Sequence, residues 1–243
     1  MRTFGLIGFP LEHSFSETYF AEKFFREGIH ECEYRNFPLQ SIAEFSQLIQ
    51  SEKNLFGLNV TIPYKESVIP FLDVLDPLAQ EINAVNCVRI INGKTKGFNT
   101  DVFGFEESLK MVLQKHHDRA LILGSGGGSN AVQHVLRKLR IEFKIVSRNP
   151  SENALSYDAL NEIIISENKL IINTTPVGQF PDTHKSPAIH YQYISNAHLL
   201  FDLIYNPELT TFLLEGRKRG AQIKNGLEML YLQGEKSWEI WND

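Results

Sequence analysis

The sequence predicts an α/β fold in two domains, and three observations carry that prediction. Strand-like and helix-like patterns alternate along the whole chain, as expected for a mostly parallel sheet covered by helices. The glycine run Gly124-Ser125-Gly126-Gly127-Gly128 follows an apolar strand directly and opens a helix, which is the order of a βαβ nucleotide-binding unit. The length, 243 residues, leaves room for a further unit ahead of that one, since ~150 residues is a usual size for one domain.

Each element has its own signal. Thr3–Gly8 reads as a strand, and Glu17–Glu27 as a helix with Tyr19, Phe20, Phe24 and Phe25 on its apolar side. Gly5, Gly8 and Pro10 interrupt the first apolar run and no small-residue cleavage site follows it, so a buried strand is expected there rather than a signal peptide. Ser41–Gln50 reads as a second helix and Phe56–Ile62 as a second strand. Val85–Ile91 and Lys96–Asn99 flank Asn92-Gly93, the strongest short-range hairpin signal. Asp101–His116 is predicted to be helical, with Val102, Phe105, Leu109 and Val112 at helical spacing.

A second rhythm begins near Arg119. Ala120–Leu123 is a continuous apolar strand, and the glycine run leads into a helix over Ser129–Leu139. Strands follow at Phe143–Val146, Leu170–Asn173 and Leu199–Ile204, with helical segments between them. Gly226–Trp241 reads as one amphipathic helix, with Leu230, Gln233, Gly234, Trp238 and Trp241 marking a face. The expected division is an α/β domain over residues 1–101 and a Rossmann-like nucleotide-binding domain over 102–225. The final segment, 226–243, can pack on either and is assigned to the first.

Composition narrows the function. The chain is 42% hydrophobic and 22% charged, an ordinary globular balance. Its net charge is −5 and its longest basic block is Arg217-Lys218-Arg219, which argues against nucleic-acid binding. No apolar run reaches the ~18 residues needed to span a membrane. Cys32 and Cys87 make neither a disulfide framework nor a spaced metal site, and the eight histidines have no HExxH or CxxC companion. A cytoplasmic protein without a metal is expected.

The motifs carry chemistry. Glycines at Gly124, Gly126, Gly127 and Gly128, with Ser125, let backbone N–H groups approach a pyrophosphate at the positive end of a helix, although Ser129 stands at the third glycine position and a flexible loop remains the alternative. The next strand ends in Val146-Ser147-Arg148-Asn149, without the acid that binds a bare ribose diol. A guanidinium there suits a 2′-phosphate, unless Arg148 is simply a solvated surface residue. Two polar segments stand against apolar strands, 10–16 and 59–65, as in sites for small polyhydroxylated ligands. Each has a plainer reading: Ser14 and Glu17 fit a capping box, Lys65 fits a surface lysine, and Asp101 fits a helix cap.

Taken together these segments resemble the shikimate dehydrogenase family along nearly the whole chain. Gly8-Phe9-Pro10-Leu11-Glu12-His13-Ser14-Phe15-Ser16 is similar to its G-x-P-x-x-H-S-x-S segment, and Asn59-Val60-Thr61-Ile62-Pro63-Tyr64-Lys65 to N-V-T-x-P-x-K. Ala84-Val85-Asn86 and Gly97-Phe98-Asn99-Thr100-Asp101 are similar to A-V-N and G-x-N-T-D. Asn173-Thr174-Thr175-Pro176-Val177-Gly178 resembles N-x-T-P-x-G, and Asp202-Leu203-Ile204-Tyr205-Asn206-Pro207 resembles D-x-x-Y-x-P. The chain departs from the pattern at Glu17, Asn83, Cys87, Gln179 and Glu228, where the family usually has Pro, Gly, Thr, Met and Gly; none of these is a proton-transfer group.

The resemblance implies reversible reduction of 3-dehydroshikimate to shikimate by NADPH, with Lys65 and Asp101 catalytic. It implies that Ser14, Ser16 and Tyr205 hold the substrate carboxylate, and that Thr61, Asn86, Asp101 and Gln233 hold its ring hydroxyls. It places NADP on Gly124, Ser125, Gly126, Gly127, Gly128, Ser147, Arg148, Asn149, Thr174, Thr175 and Gly226. A monomer or homodimer acting on a small molecule is expected. Two alternatives stand beside it: a quinate/shikimate dehydrogenase using NAD, which would show an acid at position 148, and a non-catalytic ligand-binding protein, which would have lost Lys65 or Asp101.

Overall fold

The computed structural model describes residues 1–11 and 15–243; Ser14, and with it the expected capping box, lies outside the described residues. The chain divides into two compact units, Met1–Thr100 with Gly234–Asp243, and Asp101–Gln233.

The first unit contains β1 (Arg2–Gly8), α1 (Phe15–Glu27), β2 (Cys32–Pro38), α2 (Phe45–Ser51), β3 (Leu55–Val60), β4 (Val74–Leu75), α3 (Pro77–Ile82), β5 (Cys87–Ile91) and β6 (Lys94–Phe98). They form one sheet in the order β2-β1-β3-β5-β6-β4. The first three strands are parallel, and β5 pairs antiparallel with both β3 and β6. The β5–β6 turn is made by Asn92 and Gly93 at φ 51° and 74°, the pair of left-handed residues that a tight hairpin requires.

Alternation along β1 sends residues to opposite faces of this sheet. Phe4 and Leu6 pack with Tyr19, Phe20, Phe24, Tyr34 and Trp241, while Ile7 packs with Phe45, Leu48, Leu58, Tyr64 and Val68. Trp241 stacks on Phe4 at 4.9 Å between ring centroids and donates its indole N–H to the Val88 carbonyl at 3.0 Å. Gly57 has room for no side chain because a Cβ would lie 2.3 Å from that indole nitrogen.

The second unit contains α4 (Asp101–Lys110), β7 (Arg119–Leu123), α5 (Gly127–Lys138), β8 (Glu142–Val146), β9 (Ala154–Leu155), α6 (Glu162–Glu167), β10 (Leu170–Asn173), β11 (Leu199–Asp202), α7 (Thr211–Lys218) and β12 (Gln222–Lys224). Its six strands are all parallel, in the order β12-β11-β10-β7-β8-β9. That is the doubly wound order of dinucleotide-binding sheets, with the switch in direction between β7 and β10. Leu121, Leu123, Val146, Ile171 and Leu200 are buried against Leu160, Ile165, Phe212 and Leu213. The last helix, α8 (Leu227–Asn242), continues from this unit into the end of the first. Among the described residues, no helix is long and apolar enough to cross a membrane, and no cluster of His, Cys, Asp or Glu is arranged to hold a metal.

Four expectations need correction. Phe25 does not join the apolar face of α1 but is 88% exposed, because the α1 stripe that meets the sheet runs through Tyr19, Phe20, Lys23 and Phe24. Segment 41–50 is not one helix. Ser41 and Glu44 close a capping box on a 3₁₀ turn over Ile42–Glu44 before α2 starts. The helix from Asp101 stops at Lys110 rather than at His116, since the buried His117 ring accepts the Gln114 N–H at 3.1 Å and curls the chain toward β7. Strand β2 was not expected, although Cys32, Tyr34 and Phe37 turn inward along it.

His117 sets a pH limit on the second unit. Burial holds its imidazole down to about 4, with the neighbouring His116 adding to the effect. An unfolded His titrates near 6.5, so below that pH the unfolded chain binds a proton that the folded chain refuses. Stability should therefore fall as pH drops from 6.5 toward 4, by up to about 1.4 kcal/mol per pH unit. Urea unfolding from pH 7 to 4.5 should show a shallower slope in His117→Asn, whose amide oxygen can still accept the Gln114 N–H.

Candidate active site

In the first unit, the segments expected to hold substrate are brought together by backbone hydrogen bonds. The Thr61 N–H donates to the Ile7 carbonyl at 2.9 Å, the Val60 N–H to the Asn86 carbonyl at 2.8 Å, and the Val85 N–H to the Lys65 carbonyl at 2.7 Å. Position 8 is a glycine for a steric reason, as a Cβ there would lie 2.4 Å from the Thr61 methyl. Tyr64 anchors the 61–65 turn, burying its ring and donating its hydroxyl to the Leu39 carbonyl at 2.6 Å. Lys65, next in sequence, is half-buried. Asn83 ends α3 in the left-handed conformation at φ 52°, ψ 41°, a geometry that glycine or asparagine accepts best.

A buried polar network underlies this surface. Asn86 is 3% exposed; its Oδ1 accepts the Thr100 N–H at 2.6 Å and its Nδ2 donates to Thr100 Oγ1 at 3.0 Å. Asn59 Nδ2 donates to Ser237 Oγ at 2.9 Å, and Ser237 Oγ lies 3.2 Å from Thr100 Oγ1. Tyr34 donates its hydroxyl to Asn59 Oδ1 at 3.0 Å, and Ser16 hydrogen-bonds the same phenol. Burial pushes the Tyr34 phenol well above its ordinary range, so it stays neutral and keeps its proton for Asn59. The Cys87 thiol beside Ser237 is likewise pushed up by burial, to about 12, and is no nucleophile at neutral pH. Asp101, which follows Thr100, is buried in the first turn of α4. Glu17 sends its carboxylate to Asn36 Nδ2 at 2.6 Å.

In the second unit, the expected dinucleotide residues collect at the carboxyl ends of β7, β8 and β10, the end where doubly wound sheets bind ligands. Gly124 must be glycine, because its φ is +112° and a Cβ would lie 2.6 Å from Thr174 Oγ1. Gly126 is different. It is the N-cap of α5 with no side-chain cap, and a Cβ there would meet nothing within 4 Å. The first turn of α5 is thus open to an anion, which is the fit a pyrophosphate requires. Ser129, at the third glycine position, is fully buried.

The tip of β8 is tied to this turn. Ser147 Oγ accepts the Asn149 N–H at 3.2 Å and lies 3.4 Å from Ser125 Oγ, while Arg148 is exposed and, among the described residues, joins no ion pair. Thr174 donates its hydroxyl to the Leu123 carbonyl at 2.8 Å, and Thr175 donates backbone N–H and hydroxyl to Asn173 Oδ1 at 3.1 and 2.6 Å. Asn173 in turn donates to Asp202 Oδ1 at 3.0 Å. Burial pushes the Asp202 carboxyl up to about 7, against the pull of hydrogen bonds from Thr210, the Ile204 N–H and Asn173. Gly226 packs its Cα face on the chain after β11, where a Cβ would lie 2.1 Å from the Leu203 carbonyl oxygen. Tyr205 and Gln233 are half-buried, and the Gln233 amide donates to the Leu230 carbonyl at 3.0 Å.

Site reasoning from sequence passed over Tyr34, Asn59, Thr100, Ser237 and Asp202. Asn59, Thr100 and Asp202 lie inside quoted motifs, and a polar residue at the end of an apolar strand was the signal available. Nothing in the sequence joins Tyr34 or Ser237 to them.

A family model described as the shikimate dehydrogenase substrate binding domain matches residues 6–88. The chain is 40% identical to a shikimate dehydrogenase (NADP(+)) of Methanococcus maripaludis, covering 98% of this chain and 90% of that one. It is 35% identical to the protein of that name from Staphylococcus epidermidis, covering 99% and 92%. A crystal structure of shikimate 5-dehydrogenase from Thermus thermophilus, in complex with NADP(H) and shikimate, superposes with a TM-score of 0.86 at 30% identity, over 99% of this chain and 93% of that one.

The two glycines should respond oppositely to alanine. Gly124→Ala forces a side chain into a left-handed, filled position and should lower folding stability by about 1–3 kcal/mol. Gly126→Ala meets no protein atom and should change stability by about 1 kcal/mol or less, yet weaken dinucleotide binding by filling the open N-terminus of α5. Thermal melts and fluorescence titration with NADPH check the pair.

Proposed function

The chain belongs to the shikimate dehydrogenase family, and on that premise we propose that Lys65 and Asp101 carry its reaction, the reversible NADPH-dependent reduction of 3-dehydroshikimate to shikimate. NADPH supplies the hydride when bound, and the substrate oxygen that becomes negative needs a proton. Lys65 donates that proton, and its positive charge stabilises the oxygen before transfer is complete. Asp101 orients the ammonium. The observation that supports this reading is the backbone hydrogen bond from the Val85 N–H to the Lys65 carbonyl at 2.7 Å, which ties the lysine's backbone to the strand segment that carries Asn86.

Ser14, Ser16 and Tyr205 take the substrate carboxylate; Thr61, Asn86, Asp101 and Gln233 take the ring hydroxyls. For NADP, the α5 N-terminus with Gly124 to Gly128 takes the pyrophosphate, and Ser147, Arg148 and Asn149 take the 2′-phosphate. Thr174, Thr175 and Gly226 complete the nicotinamide side with backbone and hydroxyl groups. Most substrate contacts belong to residues 1–101 with 226–243, Tyr205 excepted, and most cofactor contacts to 102–225, Gly226 excepted. The protein works as a monomer or homodimer. A cytoplasmic setting is supported by Cys32 and Cys87, both free and buried. The NAD-linked quinate/shikimate alternative is not favoured, because Arg148 stands where such a protein carries an acid. A non-catalytic binder is not favoured either, since Lys65 and Asp101 are both present.

Lys65→Ala should lower kcat by about 10²- to 10⁴-fold, the usual range for losing a general acid. If the lysine acts only in the chemical step, KM for shikimate moves little. A folded variant with near wild-type turnover, followed by NADPH absorbance, would remove the proposed mechanism.

Cofactor choice rests on one guanidinium. Glu152 lies nearby in sequence and no second cation follows within four residues. NADPH should exceed NADH by about ten- to a thousandfold in kcat/KM. Arg148→Ala should remove most of that ratio while leaving the NADH value nearly unchanged; equal use of both cofactors by the wild type would contradict the assignment.

A further inference from the structure

β10 and β11 are adjacent parallel strands, and their last residues, Asn173 and Asp202, stand opposite one another. Both are fully buried. Three groups converge on the Asp202 carboxylate. Asn173 Nδ2 at 3.0 Å and the Ile204 N–H at 3.1 Å donate to Oδ1, and the Thr210 hydroxyl at 2.6 Å donates to Oδ2. The proposed proton transfer gives this buried acid no part. Two of its three donors, however, lead on to the residues proposed for the nicotinamide side of the cofactor.

We propose that Asp202 is a positioning residue for the cofactor, its Oδ1 holding Thr174 and Thr175 through Asn173, and Gly226 through Ile204. The first path has a fixed polarity. The Thr175 N–H, 3.1 Å away, can only donate, so the Asn173 atom facing it is Oδ1, and Nδ2 is turned to Asp202. The same Asn173 Oδ1 accepts the Thr175 hydroxyl at 2.6 Å, and Thr175 Oγ1 accepts the Val177 N–H at 3.2 Å. Thr174 and Thr175 lie against the glycine turn, since a Cβ on Gly124 would lie 2.6 Å from Thr174 Oγ1 and 2.9 Å from the Thr175 methyl. The second path is shorter. Ile204 donates its N–H to Asp202 Oδ1, and its carbonyl accepts the Gly226 N–H at 3.0 Å. Thr210 holds the other oxygen: its Oγ1 accepts the Leu213 N–H as the N-cap of α7 and donates its proton to Asp202 Oδ2. One carboxylate oxygen therefore joins the two segments assigned to the nicotinamide, and the second oxygen anchors it to α7.

The inference rests on the proposed placing of NADP at Thr174, Thr175 and Gly226. Asp202→Ala takes the shared acceptor from a buried amide and a buried backbone N–H, and the folded variant should bind NADPH about 5- to 50-fold more weakly in a fluorescence titration. Asp202→Asn is the conservative variant: its Oδ1 still serves Asn173 and Ile204, and its Nδ2 donates to Thr210 Oγ1. NADPH affinity in Asp202→Asn should stay within about threefold of the wild type, which separates the position of the acceptor from its charge. Asn173→Ala cuts the first path alone and should weaken NADPH binding about 3- to 20-fold. Because the two residues act in one chain, the double variant should lose less than the product of the single losses.

Wild-type binding is measured first. If the wild type does not bind NADPH, the cofactor reading fails and takes the inference with it. If the wild type binds and Asp202→Ala melts lower with its NADPH affinity unchanged, only the positioning role is overturned. Equal losses in Asp202→Asn and Asp202→Ala would overturn the role assigned to Oδ1. Should Asp202→Ala not fold, judged by circular dichroism, Asn173→Ala decides, and an unchanged NADPH affinity there overturns the proposal. Loss of folded protein in both would reduce Asp202 to a structural acid.

Discussion

Asn59 and Asn86 are buried amides, and the first unit is organised around the need to pair them. An amide cut off from water and left without a partner costs about 1–3 kcal/mol for each unmet group. Here the partners come from four places: Tyr34 on β2, Thr100 at the end of the β6 segment, Ser237 on α8, and the backbone of neighbouring strands. Each partner is held in turn by the apolar packing around it. Trp241 fills the space above Gly57, and Phe20 stacks on Tyr34 at 4.5 Å. The apolar layer thus does not merely stabilise the sheet. It delivers polar groups to fixed positions at the strand ends, where the segments proposed to hold substrate begin.

The second unit meets the same constraint with a carboxylate. Asp202 is fully buried, and its three donors, Asn173, Thr210 and the Ile204 N–H, link β10, β11 and the start of α7. Through Asn173 the same network holds Thr175, and Thr174 is held from the other side by Leu123. The loop after β10 is therefore pinned at both edges next to Gly124. The glycine turn runs from Gly124, whose N–H bonds the Val146 carbonyl at 2.8 Å, to the N-terminus of α5, which no side chain caps.

Buried charge elsewhere follows the rule that it must be paired. Lys23, 4% exposed, bonds Glu27 and Glu235 at 2.9 and 2.7 Å. Burial pushes Glu106 up, but hydrogen bonds from Lys110 and Lys138 at 2.7 Å each prevail and leave its carboxyl below the ordinary value. Both clusters tie helices together within one unit, Lys23 joining α1 to α8 and Glu106 joining α4 to α5. They are structural ion pairs, and their contribution is largely the avoidance of an unpaired buried charge.

Local chemistry made much of this readable in advance. The hairpin at Asn92-Gly93, the apolar strands β7, β10 and β11, and the strand–glycine–helix turn depend on neighbours in sequence, so the residues themselves determined them. The motif segments around Lys65, Asn86 and Asp101 were legible for the same reason. Tertiary structure alone decided which short strands exist at the sheet edges, such as β4, β9 and β12, because two or three residues form a strand only when a longer neighbour is already in place. It ended α4 at Lys110, where His117 turns inward, and it exposed Phe25, whose helix had a wider apolar stripe than the sheet could cover. It also joined Asn59 to Ser237 across 178 positions. No local pattern encodes such a bond, since a buried donor selects whatever acceptor the folded chain places within 3 Å of it.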